Sequence, residues 1–249
     1  MNHNPLYSHP RLTGFRQLID RNAQEWPGQT TFRFRRSGEI VNITYMQFKR
    51  EAEALAAYFK LQGFHRSRIA VLGENSYEWL LTYFAAVLSD NSVVPIDKAL
   101  SDEDMAQFLV FSETELLVYA DAYTDAAWKL AEGETVKMVL PMEAFSTILA
   151  GGGSITAETD ESEICSIIFT SGTTKSPKGV ILSQKALMTD AVGACQNVYM
   201  AGPFMLTLLV HHTFAFTAGV LEAVVSATED VITAEIFPGR KNRSWSGSV

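Results

Sequence analysis

Residues 164–180 read Ile164-Cys165-Ser166-Ile167-Ile168-Phe169-Thr170-Ser171-Gly172-Thr173-Thr174-Lys175-Ser176-Pro177-Lys178-Gly179-Val180. The mostly apolar run from Ile164 to Phe169 predicts a buried strand, and the remainder predicts a loop that follows it directly. The loop combines hydroxyl side chains, glycines and lysines. Backbone N–H groups next to glycine, together with hydroxyl and ammonium donors, can surround the oxygens of a polyphosphate with little steric hindrance. The stretch therefore predicts a phosphate-binding loop at the end of a strand.

Two well-known phosphate loops do not fit this stretch. A Walker A loop needs a second glycine five residues after the first, but Pro177 stands at that distance from Gly172. The dinucleotide fingerprint G-x-G-x-x-G is absent after any predicted strand, because the run Gly151-Gly152-Gly153 continues without a third spaced glycine. We interpret that run as a linker.

The loop does resemble the phosphate-binding signature of the adenylate-forming enzymes, Thr-Ser-Gly-Thr-Thr-Gly-x-Pro-Lys-Gly. It departs from that pattern at Lys175, where the family has Gly. If this position requires a left-handed backbone, a lysine there costs roughly 1 kcal/mol. The alternative interpretation of the stretch is an ordinary Ser/Thr/Gly turn with a solvated lysine.

Other segments are similar to the same family. Ile43-Thr44-Tyr45-Met46-Gln47-Phe48 resembles its Leu-Thr-Tyr-x-Glu-Leu element and predicts a helix that is capped by Thr44, with Gln47 reaching back to the cap, and stopped by Gly63. Arg68 to Asn75 predicts a strand that ends in a helix cap, and Val93 to Asp97 resembles the family's Val-Pro-Leu-Asp strand end. In the turn before it Asn91 stands where the family has Gly, and asparagine tolerates the positive φ expected there. Asp97 itself is interpreted as a strand-end residue, and Ser101 with Asp104 predicts the next helix start. Strand and helix signals alternate to Leu140, which predicts an α/β fold of mostly parallel sheets flanked by helices.

Downstream, a helix capped by Ser183 and a strand over Met205 to Val210 lead to His211-His212-Thr213-Phe214. This segment resembles the family's Leu-Pro-Leu-His-His-x-Phe element, although the proline is missing. The resemblance implies that His212 is a catalytic residue beside the carboxylate substrate and that Phe214 contacts the same substrate. A purely structural histidine pair is the alternative.

Composition limits the classes of function. The 249 residues are 47% hydrophobic and 19% charged, as in ordinary globular proteins. The net charge of -8 opposes nucleic-acid binding. The apolar stretch near Leu80 to Leu88 is too short to span a membrane, and Met1 to Pro10 lacks an apolar targeting segment. The two cysteines suggest neither a disulfide framework nor a zinc site, and a cytoplasmic location is expected.

Four carboxylates, Glu158, Asp160, Glu161 and Glu163, follow the glycine run. Such a group could bind magnesium or serve acid–base chemistry. Because the carboxylates alternate with Ser and Thr in a polar stretch, we interpret them as part of a solvated linker. A subdomain junction is expected near residues 150–163.

The resemblance implies a reaction: a carboxylic acid and ATP form an acyl-adenylate with the help of Mg²⁺, and coenzyme A then accepts the acyl group. A carrier protein is the alternative acceptor. The residues implied to cradle the phosphates are Thr170, Ser171, Gly172, Thr173, Thr174, Lys178 and Gly179, with Thr174 also near the metal.

Motifs that lie later in the family have no match here. The string nearest to the family's Tyr-Gly-x-Thr-Glu is Ser226-Ala227-Thr228-Glu229. We therefore expect residues 1–236 to form a truncated N-terminal AMP-binding domain and residues 237–249 an irregular tail, without the C-terminal domain that carries the catalytic lysine. Such a fragment is expected to lack full activity and to expose apolar surface, through which it self-associates or meets a missing portion. A non-catalytic remnant that binds ATP or an acyl ligand is the alternative function.

Overall fold

A computed structural model describes residues 11–155, 160–170, 178–198 and 202–232. The strands are β1 (Thr30–Arg36), β2 (Glu39–Thr44), β3 (Arg68–Leu72), β4 (Ser92–Ile96), β5 (Thr114–Tyr119), β6 (Met138–Pro141), β7 (Ile164–Thr170), β8 (Lys178–Ser183), β9 (Phe204–Leu206) and β10 (Asp230–Ile232). The helices are α1 (Phe15–Glu25), α2 (Tyr45–Leu61), α3 (Tyr77–Leu88), α4 (Asp102–Phe111), α5 (Thr124–Leu130), α6 (Phe145–Ala150), α7 (Gln184–Asn197) and α8 (Glu222–Val225). A π-helical segment, Ala215–Leu221, runs directly into α8.

The strands form two mostly parallel sheets. The larger sheet has the order β6-β5-β3-β4-β7-β8, and only its last pair, β7 and β8, is antiparallel. The smaller sheet has the order β2-β1-β10-β9, in which only β1 and β2 are antiparallel. This confirms the predicted α/β fold with mostly parallel sheets.

Side chains alternate between the two faces of the larger sheet, as the period of two in a strand requires. Ile69 and Val71 of β3 enter the main core, which also contains α1, α2 and α3, whereas Ala70 and Leu72 enter a second core beneath α4 and α5. Both faces of the sheet are therefore covered by helices. Every residue of α3 except Glu78 is buried, which explains why its sequence is apolar on all sides.

Most predicted helix ends are confirmed. The Thr44 hydroxyl accepts from the Gln47 N–H at 3.2 Å, and the Ser101 and Ser183 hydroxyls cap α4 and α7 in the same way. Gly63 lies just beyond α2 with φ +88°, as expected for a helix stop. The Gln47 side chain does not reach back to the cap but donates to Glu51 at 2.7 Å.

Three local predictions are wrong. Ser76, not Asn75, caps α3, because its hydroxyl accepts from the Trp79 N–H at 3.1 Å. In the turn before β4 the positive φ falls on Asp90, at +60°, rather than on Asn91. The buried Asn91 side chain instead holds that turn by bonding the Ser67 N–H at 2.9 Å.

The third wrong prediction is the strand over Met205 to Val210, which ends at Leu206. Beyond Leu206 the backbone of Leu208 and Val210 is hydrogen-bonded to the side chain of Asn75, which lies between β3 and α3, and not to a neighbouring strand.

The segment near the expected subdomain junction packs closely where it is described. A Cβ on Gly153, which has φ +138°, would lie 3.0 Å from the Cβ of Ala57 on α2. Further on, Glu161 accepts from the Gln17 side chain at 2.6 Å, and Glu163 lies 3.2 Å from Arg66. Glu158 lies outside the described residues.

Two of the composition-based expectations concern structure directly. Cys165 and Cys195 are free and buried, and burial raises the pKa of the Cys165 thiol to about 12. Cys165 therefore behaves as a small apolar residue of the core. No helix among residues 11–155, 160–170, 178–198 and 202–232 is both long and apolar enough to cross a membrane.

Candidate active site

The predicted phosphate loop connects two adjacent strands. β7 ends at Thr170 and β8 begins at Lys178, and these two residues are paired in the antiparallel ladder. Ser171, Gly172, Thr173 and Thr174 lie outside the described residues, as does the side chain of Thr170. The described strands nevertheless fix both ends of the loop at the carboxyl end of β7.

Lys178 and Gly179 have different surroundings. Lys178 is exposed at the start of β8. Gly179 pairs with Phe169, and a Cβ on it would lie 3.2 Å from the Cγ2 of Ile167. The glycine thus lets β8 lie close to the side chains of β7, while its role toward phosphate stays a prediction.

Polar residues converge at the same edge of the larger sheet. Glu74 and Asn75 follow β3, Asp97 and Lys98 follow β4, and Thr170 ends β7. Because these three strands are parallel neighbours in the order β3-β4-β7, their carboxyl ends meet side by side. In open α/β sheets this edge is where ligands bind.

A cavity of about 350 Å³ opens at this edge. Its size is within the range usual for sites that bind small organic molecules. Phe108 and Phe169 form one wall, with their rings stacked at 4.1 Å. The lining residues are Pro95, Asp97, Leu100, Phe108, Ile168, Phe169, His211, His212 and Thr213.

His211 is the buried polar group of this cavity. Only 7% of it is exposed, and its Nε2 has no hydrogen-bond partner among the described residues. The nearest carboxylate oxygen, Oδ1 of Asp97, lies 3.6 Å away. Burial lowers the pKa of His211 to about 4 despite this carboxylate, so the ring is neutral at pH 7. A neutral imidazole can offer one nitrogen as donor or acceptor to a ligand.

His212 lies beside it, with the two ring centroids 4.2 Å apart. His212 is exposed and lines the cavity, in agreement with a position next to a ligand. Phe214 is 70% exposed and is not among the residues that line the cavity. Of the two residues predicted to contact the acid, the structure therefore brings only His212 to the cavity.

A hydrogen-bonded group lies next to the cavity on the β3 and β5 side. The Glu74 carboxylate accepts from the Tyr123 hydroxyl at 2.6 Å and from Lys98 Nζ at 3.2 Å. Burial alone would raise the pKa of Glu74, but these donors outweigh it and lower the pKa. Glu74 is thus a fixed negative charge that partly neutralises Lys98.

A larger groove of about 620 Å³ lies elsewhere, between the β1–β2 hairpin and α6. Several of its polar groups are paired with one another: Glu51 accepts from Tyr77 and Gln47, each at 2.7 Å, and Arg36 is paired with Glu78. The smaller cavity is the better candidate because it combines an unpartnered buried histidine with the edge where the phosphate loop begins.

Magnesium was expected near Thr174, which lies outside the described residues. Within residues 11–155, 160–170, 178–198 and 202–232, no group of three or more His, Cys, Asp or Glu side chains could hold a metal ion. The described residues therefore contain no cluster of metal ligands into which Mg²⁺ could be fitted.

A sequence match that covers most of the chain identifies the family. The family model described as AMP-binding enzyme matches residues 19–245. This chain belongs to the AMP-binding enzyme family. The match includes both strands that flank the phosphate loop and the histidine segment.

Curated relatives of this AMP-binding chain include the indoleacetate–CoA ligase of Aromatoleum aromaticum, 32% identical over 192 residues, covering 72% of this chain and 36% of the relative. The D-alanine–D-alanyl carrier protein ligase of Streptococcus pneumoniae is 27% identical over 179 residues, covering 72% of this chain and 34% of the relative. The chain spans about a third of the length of these relatives.

Solved structures share the fold. The inhibitor-bound N-terminal domain of FACL13 from Mycobacterium tuberculosis superposes with a TM-score of 0.83 at 19% identity, covering 90% of this chain and 58% of that one. A fatty acyl CoA synthetase from the same organism gives a TM-score of 0.80 at 19% identity, with 90% and 45% covered. The fold is therefore that of the N-terminal domain of adenylate-forming enzymes.

Sequence reasoning missed two features of the site. His211 was passed over in favour of its neighbour, and Asn75 was interpreted as a helix cap. A signal for Asn75 is present in the sequence: Ser76, three residues before Trp79, is an equally good helix cap. If Ser76 caps the helix, the Asn75 side chain is free to contact residues that are distant in sequence. No sequence signal distinguishes which histidine of a pair is buried.

Proposed function

We propose that this chain carries the ATP- and acid-binding part of an enzyme that activates a carboxylic acid as an acyl-adenylate. A carboxylate oxygen of the acid attacks the α-phosphorus of ATP, and pyrophosphate leaves. The thiolate sulfur of coenzyme A then attacks the acyl carbon, and AMP leaves with the electron pair of the broken C–O bond. Indoleacetate–CoA ligase, by its name, joins an acid to coenzyme A, and this supports the choice of acceptor.

One observation carries the proposal. The Thr170–Lys178 pair holds both ends of the phosphate signature at the carboxyl edge of β7, and Phe169 beside it lines the cavity with His212. A nucleotide held by the loop would have its α-phosphate near an acid held in the cavity. Holding two reactants together in this way is a large part of catalysis for such a reaction.

The proposed roles follow this arrangement. Thr170, Ser171, Gly172, Thr173, Thr174, Lys178 and Gly179 surround the β- and γ-phosphates. Mg²⁺, bound with the phosphates and Thr174, would neutralise negative charge. His212 faces the carboxylate, and Phe214 is proposed to meet the acyl group from outside the described cavity. The two free buried cysteines agree with a reducing compartment, the cytoplasm.

Replacing Lys178 by alanine tests the phosphate site. A hydrogen bond to a charged group contributes about 1.5–3 kcal/mol, so we expect Lys178→Ala to weaken ATP binding roughly 10- to 100-fold. Isothermal titration with ATP and Mg²⁺ measures this. Lys137→Ala is the matched control, because Lys137 is exposed beside the opposite end of the same sheet, paired with Glu115 at 2.6 Å. Equal ATP affinity in both variants and the parent would contradict the proposal.

The second candidate is a protein that binds ATP or an acyl ligand without catalysis. Exchange of labelled pyrophosphate into ATP, dependent on added carboxylic acid, separates the two. Binding of ATP without such exchange supports the second candidate.

A further inference from the structure

We infer that Asn75 is a positioning residue that sets the place of His212 in the cavity. The inference rests on the proposed function for its catalytic meaning, while its structural content can be tested without it. Asn75 is a residue of the β3–α3 connection, far in sequence from the histidines. Ser76, and not Asn75, caps α3, so the Asn75 side chain is available for contacts outside that helix.

The Asn75 side chain forms two hydrogen bonds with the backbone just before the histidines. The Asn75 side-chain amide donates to the Leu208 carbonyl at 2.7 Å, and its carbonyl oxygen accepts from the Val210 N–H at 3.1 Å. Only 4% of Asn75 is exposed, so water does not compete for these bonds. In a dry site, removing one partner leaves a buried backbone group without a hydrogen bond, which destabilises the segment.

The backbone held by Asn75 is itself hydrogen-bonded to His212. The residue between the two bonded positions, Leu209, accepts from the His212 N–H at 3.0 Å. The His212 carbonyl in turn accepts from the Phe216 N–H at 3.1 Å, at the start of the π-helical segment. His212 is thereby held on both sides, and the held segment is anchored to the larger sheet through Asn75.

Phe216 fixes the far side of this segment. It is buried, and its ring lies 4.0 Å from the ring of Tyr83 on α3, the same helix that begins after Asn75. Both supports of His212 therefore lead back to the β3–α3 unit. A shift at Asn75 would therefore move the histidine relative to this fixed frame.

The chemistry of the amide explains why asparagine is needed. The segment presents one acceptor, the Leu208 carbonyl, and one donor, the Val210 N–H, and an amide of this length provides the complementary pair. Asn75→Asp keeps the shape and the acceptor but loses the donor, and it brings a carboxylate up against the Leu208 carbonyl. Asn75→Ala loses both bonds.

The test compares Asn75→Asp and Asn75→Ala with Asn91→Ala. Asn91 is the matched control: it is 2% exposed and also binds backbone groups, the Ser67 N–H and the Phe64 carbonyl, but it lies at the opposite end of the sheet. The first readout is the ring-proton NMR signals of His211 and His212 in the ligand-free protein. We expect both Asn75 variants to displace them, and Asn91→Ala to lower stability while leaving them in place.

The second readout is acid-dependent pyrophosphate exchange. We expect the Asn75 variants to raise the KM for the acid and lower the exchange rate on the order of 10- to 100-fold, because small misplacements of reacting groups are costly, with ATP affinity unchanged. Histidine signals that stay in place in a folded Asn75→Asp protein would overturn the inference. Displaced signals without any exchange in the parent protein would instead refute the proposed function and leave the positioning role standing.

Discussion

Asp230 is a carboxyl group in an apolar place. It lies in β10 in register with Phe32 of β1, it is completely buried, and neither of its oxygens has a hydrogen-bond partner among the described residues. Burial, reinforced by the negative charge of Glu229, raises its pKa well above the usual range. The carboxyl is therefore protonated in the folded protein over a pH range in which it ionises in the unfolded chain.

This residue predicts a pH dependence with a definite sign. Because the folded state holds the proton more tightly, the contribution of Asp230 to stability is complete below the unfolded pKa of 3.8 and is lost as the pH rises toward the folded pKa. We expect Asp230→Asn, which cannot ionise, to gain stability relative to the parent as the pH rises from 4 to 8. Urea unfolding of both proteins across this range measures the difference.

Comparing the parent protein with Asp230→Asn cancels the contributions of other titratable groups to the pH dependence of stability. His211, whose lowered pKa has the opposite effect, is present in both proteins. Asp230→Leu extends the test, since removing an unsatisfied buried polar group is expected to stabilise by roughly 1–3 kcal/mol at pH 7. A parent-to-Asn difference that is the same at every pH would show that Asp230 is already ionised in the fold.

At the scale of helices and strands, local chemistry decided which predictions were right. Thr44, Ser101 and Ser183 precede apolar periodic runs, and each caps its helix as predicted. The prediction that the strand continues beyond Leu206 was wrong because the path of the backbone there is set by a tertiary contact with Asn75. No local sequence pattern contains that contact. The phosphate loop and a role for His212 can be predicted from sequence because each belongs to a contiguous motif, whereas the cavity joins residues from separate strands.

Gly63 offers a test of a helix end. Its φ of +88° is unfavourable for any residue with a Cβ, although a Cβ there would meet no atom within 4 Å. We expect Gly63→Ala to destabilise by roughly 1–2 kcal/mol through backbone strain alone. Gly28 is the control, because its surroundings are equally open and its φ lies outside this region. Gly28→Ala is expected to leave stability unchanged or raise it by up to about 1 kcal/mol, as judged by thermal unfolding.

At the scale of the whole molecule, one edge of the larger sheet exposes several apolar side chains. Among the described strands β8 has a neighbour on one side only, and Val180 and Ile181 on it are 45% and 61% exposed. Ile164 at the start of β7 and Phe111 at the end of α4 add to this apolar edge. An unprotected edge strand with apolar side chains favours pairing with another chain.

We therefore expect the chain to self-associate at this edge. A charge on an edge strand opposes such pairing, so Ile181→Lys should reduce the associated fraction in sedimentation velocity at micromolar concentrations. Trp128→Lys is the control, since Trp128 is 60% exposed but lies on α5 rather than at a sheet edge. Equal association in both variants would place the contact elsewhere.

The pairing of β1 with β10 has a consequence for the order of folding. Phe32 and Asp230 are partners in a parallel ladder although nearly the whole described chain lies between them. The neighbours β3, β4 and β5 need only residues 68–119, so their contacts close much shorter loops. During synthesis on the ribosome, the larger sheet can begin to assemble while β1 and β2 wait as an isolated hairpin. The smaller sheet is completed only after β10 has emerged.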